Sequence, residues 1–541
     1  MNKFNQYKLL IGICALPLVA SCDYEEVNTN PFEVTDEMGN RDNIAVGSSL
    51  TAMARQVIPV GTAADRTDII NEYQTAVHLS ADIWSGYFSE NNNWNSGNNH
   101  MTYYLNNAWV ASTYNSTYTK AFAPWKKIKK NVEATGATDI FSLAQILKIS
   151  SWVKTLETFG PIPYSHADDA SLIIPFDSEK EAYETLFKEL KEAIDLLTPK
   201  AESGAVIAAD FDPIYGGDVK SWVKYANSLM LRTAIHLKFV DEAMSKQWVK
   251  TALDHKMGVM TAKSDEAQIS NGAGYSFINN ISYLASQYNE CRMGTTIYSY
   301  LNGYKDPRLS KYFSVSNSKH ALKAFDGKFY APVPSGHEMK KGEYDDFSLP
   351  NMTEQTPTYW MRASEVYFLR AEAALQWPEF GSAEELYKQG IQMSFEENGL
   401  SAGEASKYET STGKPVPVTI SSDNNAYSAP APTQATPSFE GSNEEKLEKI
   451  IIQKWIAMYP NGQEAWTEWR RTGYPKMNEV QHNNGFFEGI TPQTGIRRMI
   501  YPESFSKTTD PDKLQNYRNA VDKLSNKTDG ANTRLWWDVR R

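Results

Sequence analysis

The residues best suited to ligand chemistry lie between positions 84 and 118, where aromatic side chains alternate with asparagines. A neutral sugar offers C–H faces that flat rings can cover, and hydroxyls that asparagine amides can donate to and accept from. Trp94 is the best exposed candidate, because asparagines surround it and the neighbouring residues offer no apolar partner. The same rings could instead form a core, and part of the set is expected to do so. The candidate ligand contacts in this segment are Trp84, Asn93, Trp94, Asn95, Tyr103 and Trp109.

Signatures of catalysis are weak in this sequence. It contains no H-E-x-x-H, paired C-x-x-C, G-x-S-x-G or phosphate-binding glycine loop. Acidic pairs such as Glu464 and Glu468 occur by chance in a chain with 65 acidic residues. We therefore expect no enzyme, no cofactor and no metal site. His236 lies on an apolar helical stripe and is expected to be a core histidine, while Arg470 and Arg471 are expected to bind carbonyls and carboxylates at a helix end.

Composition excludes further classes. The chain has 541 residues, of which 41% are hydrophobic and 22% charged, so it can form a large folded core. Its net charge of −11 argues against a nucleic-acid partner, which needs a basic surface.

The first residues predict export and lipidation. Lys3 and Lys8 precede an apolar run over residues 9–20, which has the length of a signal-peptide core. The run ends in Leu18-Val19-Ala20-Ser21-Cys22, which resembles the bacterial lipobox. We expect residues 1–21 to be removed and Cys22 to carry the lipid anchor; a plain secretory signal is the alternative. Only Cys291 would then remain, so no intramolecular disulfide is expected.

Hydrophobic spacing is helical along most of the chain. Apolar residues recur at steps of three and four, as in Tyr183, Leu186, Phe187, Leu190 and Ile194. Residues 141–159 and 179–197 form one predicted helix pair, and residues 364–376 and 383–398 another. Ser178, Ser382 and Ser442, each followed three residues later by glutamate, predict helix starts. The sequence thus predicts a mainly α protein, with a single domain over residues 22–541 and a long surface excursion near 401–443.

Several motifs occur in the order found in one known family. They include Asn28-Thr29-Asn30-Pro31, Phe159-Gly160-Pro161-Ile162-Pro163-Tyr164, Leu231-Arg232-Thr233-Ala234, Asp306-Pro307-Arg308, Phe368-Leu369-Arg370-Ala371-Glu372-Ala373, Trp469-Arg470-Arg471-Thr472-Gly473 and Arg498-Met499-Ile500-Tyr501-Pro502. Together they resemble the SusD/RagB-like nutrient-binding outer-membrane lipoproteins of Bacteroidetes.

The resemblance implies a scaffold of tetratricopeptide-like helix pairs and a less regular, loop-rich half that carries the ligand surface. It implies non-catalytic capture of a glycan or other nutrient, and delivery to a TonB-dependent SusC-like channel. The protein would be lipid-anchored at Cys22 in the outer membrane and face the cell exterior. Because relatives often add mid-chain residues to the site, Tyr283, Tyr288 and Arg292 are further candidates.

Two other functions remain open at this point. The chain could be a secreted helical polysaccharide-degrading enzyme, or a helical-repeat adaptor that binds peptides or proteins. The sequence does not identify the ligand.

Overall fold

Eighteen α-helices provide most of the regular structure in residues 44–270 and 274–540, the part of the chain that the computed structural model describes. The helices are α1 Ile44–Val57, α2 Asp68–Tyr73, α3 Asn107–Tyr114, α4 Lys120–Thr135, α5 Thr138–Phe159, α6 Glu179–Glu202, α7 Val219–His236, α8 Glu242–Leu253, α9 Asn280–Ser286, α10 Thr295–Gly303, α11 Leu309–Tyr312, α12 Ala363–Gln376, α13 Ala383–Glu397, α14 Ala402–Tyr408, α15 Asn443–Ala457, α16 Gly462–Thr472, α17 Glu503–Ser506 and α18 Pro511–Asp522. The predicted mainly α class is confirmed. The predicted leader and the lipidated Cys22 lie outside the described residues.

The helix starts follow their capping residues. The Ser178 side chain accepts the backbone N–H of Glu181, and the Glu181 carboxylate accepts the N–H of Ser178 in return. Ser442 forms the same reciprocal cap at α15. Such caps satisfy N–H groups that have no partner within the helix. At the other end of α5, Gly160 has φ of 85°, a conformation that glycine adopts without steric cost.

Neighbouring helices pack in pairs. Helix α5 packs against α6, α7 against α8, and α12 against α13, so the two predicted pairs are confirmed. The stripe of α6 is the reason: Leu186, Phe187 and Leu190 are completely buried, while charged residues cover its outer face.

Short strands tie distant segments together in five two-stranded sheets, counted over the described residues. The strands are β1 Gly61–Thr62, β2 Phe88–Glu90, β3 Ala267–Ile269, β4 Phe277–Ile278, β5 Cys291–Met293, β6 Leu322–Lys323, β7 Phe329–Tyr330, β8 Thr358–Met361, β9 Val418–Ser421 and β10 Ala426–Ala429. Strands β2 and β5 are antiparallel, with Glu90 opposite Cys291 and Ser89 opposite Arg292. This pairing brings the segment with the mid-chain candidate Arg292 beside the start of residues 91–104, which we call the asparagine-rich loop.

Two segments whose sequences carry few helical signals contain regular secondary structure. The segment from 86 to 118 contains α3, and it continues into the π-helical turn Asn115–Thr119. Residues 401–443 contain α14 and the β9–β10 hairpin, in which buried and exposed residues alternate. Because Val418 and Ile420 join the largest apolar cluster described, this segment is part of the packed body and not only a surface excursion.

A buried ion network joins α5, α7, α12 and α16. The Arg471 guanidinium donates to Glu372 Oε1 at 2.7 Å and to Glu468 Oε2 at 2.6 Å. His236 lies 2.6 Å from Glu157 and 2.9 Å from Glu464, measured between ring nitrogens and carboxylate oxygens. The structural interpretation of His236 and Arg471 is confirmed.

None of the helices described is both long and apolar enough to cross a bilayer.

Candidate functional site

The loop from Asn91 to Tyr104 follows β2 directly, and two of its asparagines hold its shape. Asn91 accepts the N–H of Tyr344 at 2.8 Å and donates to Asp345 Oδ1 at 2.7 Å. Asn99 donates to the Trp94 carbonyl at 2.9 Å and caps the short helical turn that follows it. These amides are therefore occupied by the protein itself.

Only some of the other asparagines in this loop are exposed. Asn93 is half-buried and donates to the Glu338 carbonyl at 3.2 Å. Asn95 and Asn98 are exposed. Their amides can donate to and accept from hydroxyl groups of a ligand.

The expectation that Trp94 has no apolar partner is wrong. Its ring is half-buried and packs edge-on against Trp109, with ring centroids 6.1 Å apart, beside the cluster of Leu79, Ile83 and Met101. The missing partners come from helical segments on both sides of the loop, which the local sequence does not reveal.

The Trp94 backbone is also strained. Trp94, Asn95 and Ser96 have φ of 23°, 49° and 56°, a region that residues other than glycine rarely adopt. The Trp94 indole N–H is buried without a hydrogen-bond acceptor among the described residues. Folded proteins retain such strained and unsatisfied groups mainly at functional sites.

Trp84 and Trp109 lie deeper, on either side of His100. Trp84 is stacked on His100 at 5.5 Å and donates its indole N–H to the His100 carbonyl at 2.8 Å. Trp109 meets the same imidazole edge-on at 5.0 Å. Burial lowers the pKa of His100 to about 3, so the ring is neutral in this apolar setting. Both tryptophans are buried and form the floor under the loop.

Three exposed rings lie beside this loop, Tyr104, Phe486 and Phe487, which we call the aromatic rim. They are 36%, 70% and 60% exposed, respectively. The centroid of Phe487 lies 5.7 Å from Tyr104 and 6.1 Å from Phe486. Contiguous exposed aromatic surface of this kind is uncommon on a folded protein and marks an interaction site.

Hydrogen bonds hold residues 484–487, which we call the rim loop, against the asparagine-rich loop. The Asn484 N–H donates to the Thr102 carbonyl at 2.7 Å, and its side-chain amide donates to the Gly97 carbonyl at 2.9 Å. Gly485 packs so closely on the Tyr103 carbonyl that a larger residue would clash there. Tyr103 itself is half-buried and adopts φ of 63°. The rim is thus a preformed surface built from two loops.

The mid-chain candidates have different environments. Arg292 is fully buried, and its guanidinium donates to the Tyr344 carbonyl at 2.9 Å. Tyr283 and Tyr288 are half-buried and pack edge-on at 5.4 Å, and the Tyr288 hydroxyl donates to Asn71 at 2.7 Å. Neither tyrosine ring stacks on a ring of the 91–104 loop within the described residues.

The structure therefore gathers Trp84, Asn93, Trp94, Tyr103 and Trp109 in one region. Arg292 lies beneath that region, linked to it through Tyr344. Trp84, Trp109 and Arg292 are buried, and the binding role of the whole set stays a prediction.

Sequence reasoning missed Phe486 and Phe487 and did not select Tyr104. A signal was available: the two phenylalanines stand between Gly485 and Gly489, after a polar run over residues 481–484. Adjacent phenylalanines in a polar, glycine-bounded loop cannot both reach a core, so at least one is expected on the surface.

Comparisons with known proteins agree with the sequence resemblance. The family model described as "SusD-like: Susd and RagB outer membrane lipoprotein" matches residues 26–538. A chitin-binding SusD homologue from Flavobacterium johnsoniae is 31% identical, with a TM-score of 0.80 over 92% of this chain and 99% of that one. SusD homologues from Bacteroides vulgatus and Bacteroides uniformis are 32% and 30% identical, with TM-scores of 0.81 and 0.80; each match covers 92% of this chain and 99% of the other. No curated protein matches the chain.

Proposed function

Because this chain belongs to the SusD-like family of outer-membrane lipoproteins, we propose that it captures a glycan at the cell surface without cleaving it. It then passes the glycan to a SusC-like, TonB-dependent channel. Lipidation at Cys22 would hold it at the outer membrane, facing the exterior. The observation that carries the proposal is the aromatic rim.

The chemistry of the rim supports a sugar ligand. Phe487 and Tyr104 offer ring faces to the apolar side of a pyranose. Asn95 and Asn98 lie exposed on the adjoining loop, where their amides can bind hydroxyls. Flat hydrophobic surface combined with neutral hydrogen-bonding groups fits a neutral or weakly charged glycan better than an anionic polymer.

The scaffold also suits capture by a preformed surface. The rim loop and the asparagine-rich loop are tied together through Asn484, and Asn91 and Asn99 fix the second loop from within. A preformed site loses less conformational entropy on binding than a mobile one. A relative described as chitin-binding makes chitin oligosaccharides a suitable first ligand to test.

The test is a panel of neutral polysaccharides, including chitin oligosaccharides, screened by affinity electrophoresis and by chromatography of the incubated glycan. The proposal predicts retention on at least one glycan and no shorter products over time. Time-dependent release of shorter products would favour the enzyme alternative. Absence of retention on every glycan, together with capture of a peptide ligand, would favour the adaptor alternative.

The channel partner needs its own test, because the glycan assay does not address it. The protein is tagged and isolated from its native outer membrane in mild detergent. We expect a TonB-dependent channel to co-purify in a stoichiometric complex, and a Cys22→Ala variant to lose membrane attachment. A wild-type protein that is isolated from the membrane alone would contradict delivery to a channel.

A further inference from the structure

Beneath the asparagine-rich loop, three potential metal ligands converge from separate segments. His78 comes from the π-helical segment Gln74–Asp82, Glu90 ends β2 and Cys291 starts β5. One ligand atom from each residue lies within 4.8 Å of the other two, and His78 Nε2 is 2.7 Å from Glu90 Oε1. All three residues are completely buried.

An unsatisfied oxygen points to a missing ligand in this cluster. Glu90 Oε2 is buried and accepts no hydrogen bond within the described part of the chain. A buried carboxylate oxygen without a partner destabilises the folded state, because it has lost its hydrogen bonds to water. The oxygen belongs to the same carboxylate that faces His78 through Oε1, so a cation bound by both oxygens of that carboxylate would satisfy it.

A carboxylate holds the His78 ring in place, as is common for histidines that bind metal ions. Its other ring nitrogen, Nδ1, lies 3.1 Å from Asp82 Oδ2, and the same carboxylate oxygen accepts the Tyr73 hydroxyl at 2.6 Å. A carboxylate on the far nitrogen fixes the tautomer and increases the basicity of the nitrogen that faces the metal. Nε2 is thereby left facing Glu90.

We propose that His78 Nε2, both oxygens of the Glu90 carboxylate and Cys291 Sγ bind one structural Zn²⁺ ion. Imidazole, carboxylate and thiolate are all established zinc ligands, and the thiolate disfavours Mg²⁺ and Ca²⁺. Glu90 and the Cys291 thiolate together offset the double positive charge. Two protons leave to solvent when the ion binds: the thiol proton of Cys291, and the proton held between His78 Nε2 and Glu90 Oε1. Tetrahedral zinc holds nitrogen and oxygen ligands about 3.4 Å apart, so the His78–Glu90 pair would widen by about 0.7 Å.

A second trio shows why the first is chosen. Glu157, His236 and Glu464 also offer ligand atoms within 4.8 Å of one another. However, Lys454 Nζ lies 3.3 Å from a Glu464 oxygen and Arg232 Nε lies 3.6 Å from the other. These cations already neutralise the carboxylates and would repel a metal ion, and this trio has no thiolate.

The ion would join the π-helical segment, β2 and β5 at one point. Glu90 immediately precedes Asn91, the residue that anchors the asparagine-rich loop. A zinc ion here would therefore stiffen the base of the candidate ligand surface, although its presence does not depend on the proposed function.

The test exploits the optical signature of a cobalt–thiolate bond. Because the trio is buried, the full chain is expressed in medium supplied with Zn²⁺ or Co²⁺, so that the metal is available during folding. We expect about one metal ion per chain. The cobalt protein should show a thiolate-to-cobalt charge-transfer band in the near ultraviolet, and the zinc protein a higher melting temperature than protein made with a chelator.

Two variants and one control make the result decisive. Cys291→Ala should lose the charge-transfer band and bind zinc more than about 100-fold more weakly than wild type. Asp82→Asn keeps all three ligand residues and should bind zinc about 10–100-fold more weakly. His166→Gln removes an exposed histidine beside Asp169 and should change neither value. Folded wild-type protein with no bound metal and no band would overturn the proposal, as would equal metal content in Cys291→Ala. If Cys291→Ala does not fold, the charge-transfer band of the wild-type protein and the zinc affinity of Asp82→Asn still test the proposal.

Discussion

Removal of one ring of the aromatic rim should weaken glycan binding by about tenfold. Phe487 is 60% exposed, and a phenylalanine side chain presents roughly 200 Å², so about 120 Å² faces solvent. A sugar ring that covers half of this area buries about 60 Å², worth about 1.5 kcal/mol at 25 cal/mol per Å². This energy corresponds to about a tenfold change in Kd. Phe487→Ala should leave the free energy of unfolding within about 0.5 kcal/mol of wild type, because the ring is exposed.

The assay is isothermal titration calorimetry with an oligosaccharide that the panel identifies, paired with urea unfolding. The matched control is Phe329→Ala, which removes a 49% exposed phenylalanine from β7, outside the rim. The reasoning is refuted if Phe487→Ala binds as tightly as wild type, or if Phe329→Ala loses the same affinity. A large loss of stability in Phe487→Ala would show that its ring is not the exposed surface described.

Three further predictions concern the interior. Trp94→Ala should lower the free energy of unfolding, measured in urea, by about 2 kcal/mol, which is about half the cost for a fully buried tryptophan. The same variant should also bind the glycan more weakly. Unchanged stability would mean that the packing of this ring contributes nothing. Arg471→Met should lower the free energy of unfolding by about 3–5 kcal/mol in the same assay, because Glu372 and Glu468 lose their bidentate partner in the interior. A loss below about 1 kcal/mol would contradict a stabilising network. Burial raises the pKa of Glu179 from 4.5 to about 8, so its contribution to stability is complete below about pH 4.5 and is lost as the pH rises toward 8. The melting temperature of wild type relative to Glu179→Gln should therefore fall between about pH 5 and pH 8, and a difference independent of pH would contradict the shifted pKa.

The helical scaffold was predictable because its signals are local. The stripe that includes Leu186 and Leu190 repeats within one helix, and the Ser178–Glu181 cap lies within four consecutive residues. Each signal is strong enough to be read without knowledge of what the helix packs against. The α12–α13 pair followed from the short connection between Gln376 and Ala383.

The hairpin at 418–429 illustrates what composition hides. The proline-rich and serine-rich surroundings suggested a surface excursion, yet Val418 and Ile420 alternate with exposed residues and pack into the core. The period-two pattern covers only four residues per strand, too short to outweigh the composition around it. A search for alternation in short windows would have detected it.

The candidate site was harder to predict because its residues meet only in three dimensions. The aromatic rim combines Tyr104 with Phe487, and the proposed zinc site combines His78 and Glu90 with Cys291. No spacing rule connects residues so far apart in the chain. The sequence favoured Trp94 as the exposed ring of the asparagine-rich loop, but this ring proved to be half-buried against Trp109.

The most direct test of the central claim is a crystal structure of the protein with a bound oligosaccharide from the panel. The account predicts a sugar ring stacked on Phe487 or Tyr104, with carbon atoms about 4 Å from the ring face and hydroxyls bound by Asn95 or Asn98. A glycan bound to another surface, such as the Tyr283–Tyr288 pair, with the aromatic rim left bare, would contradict it.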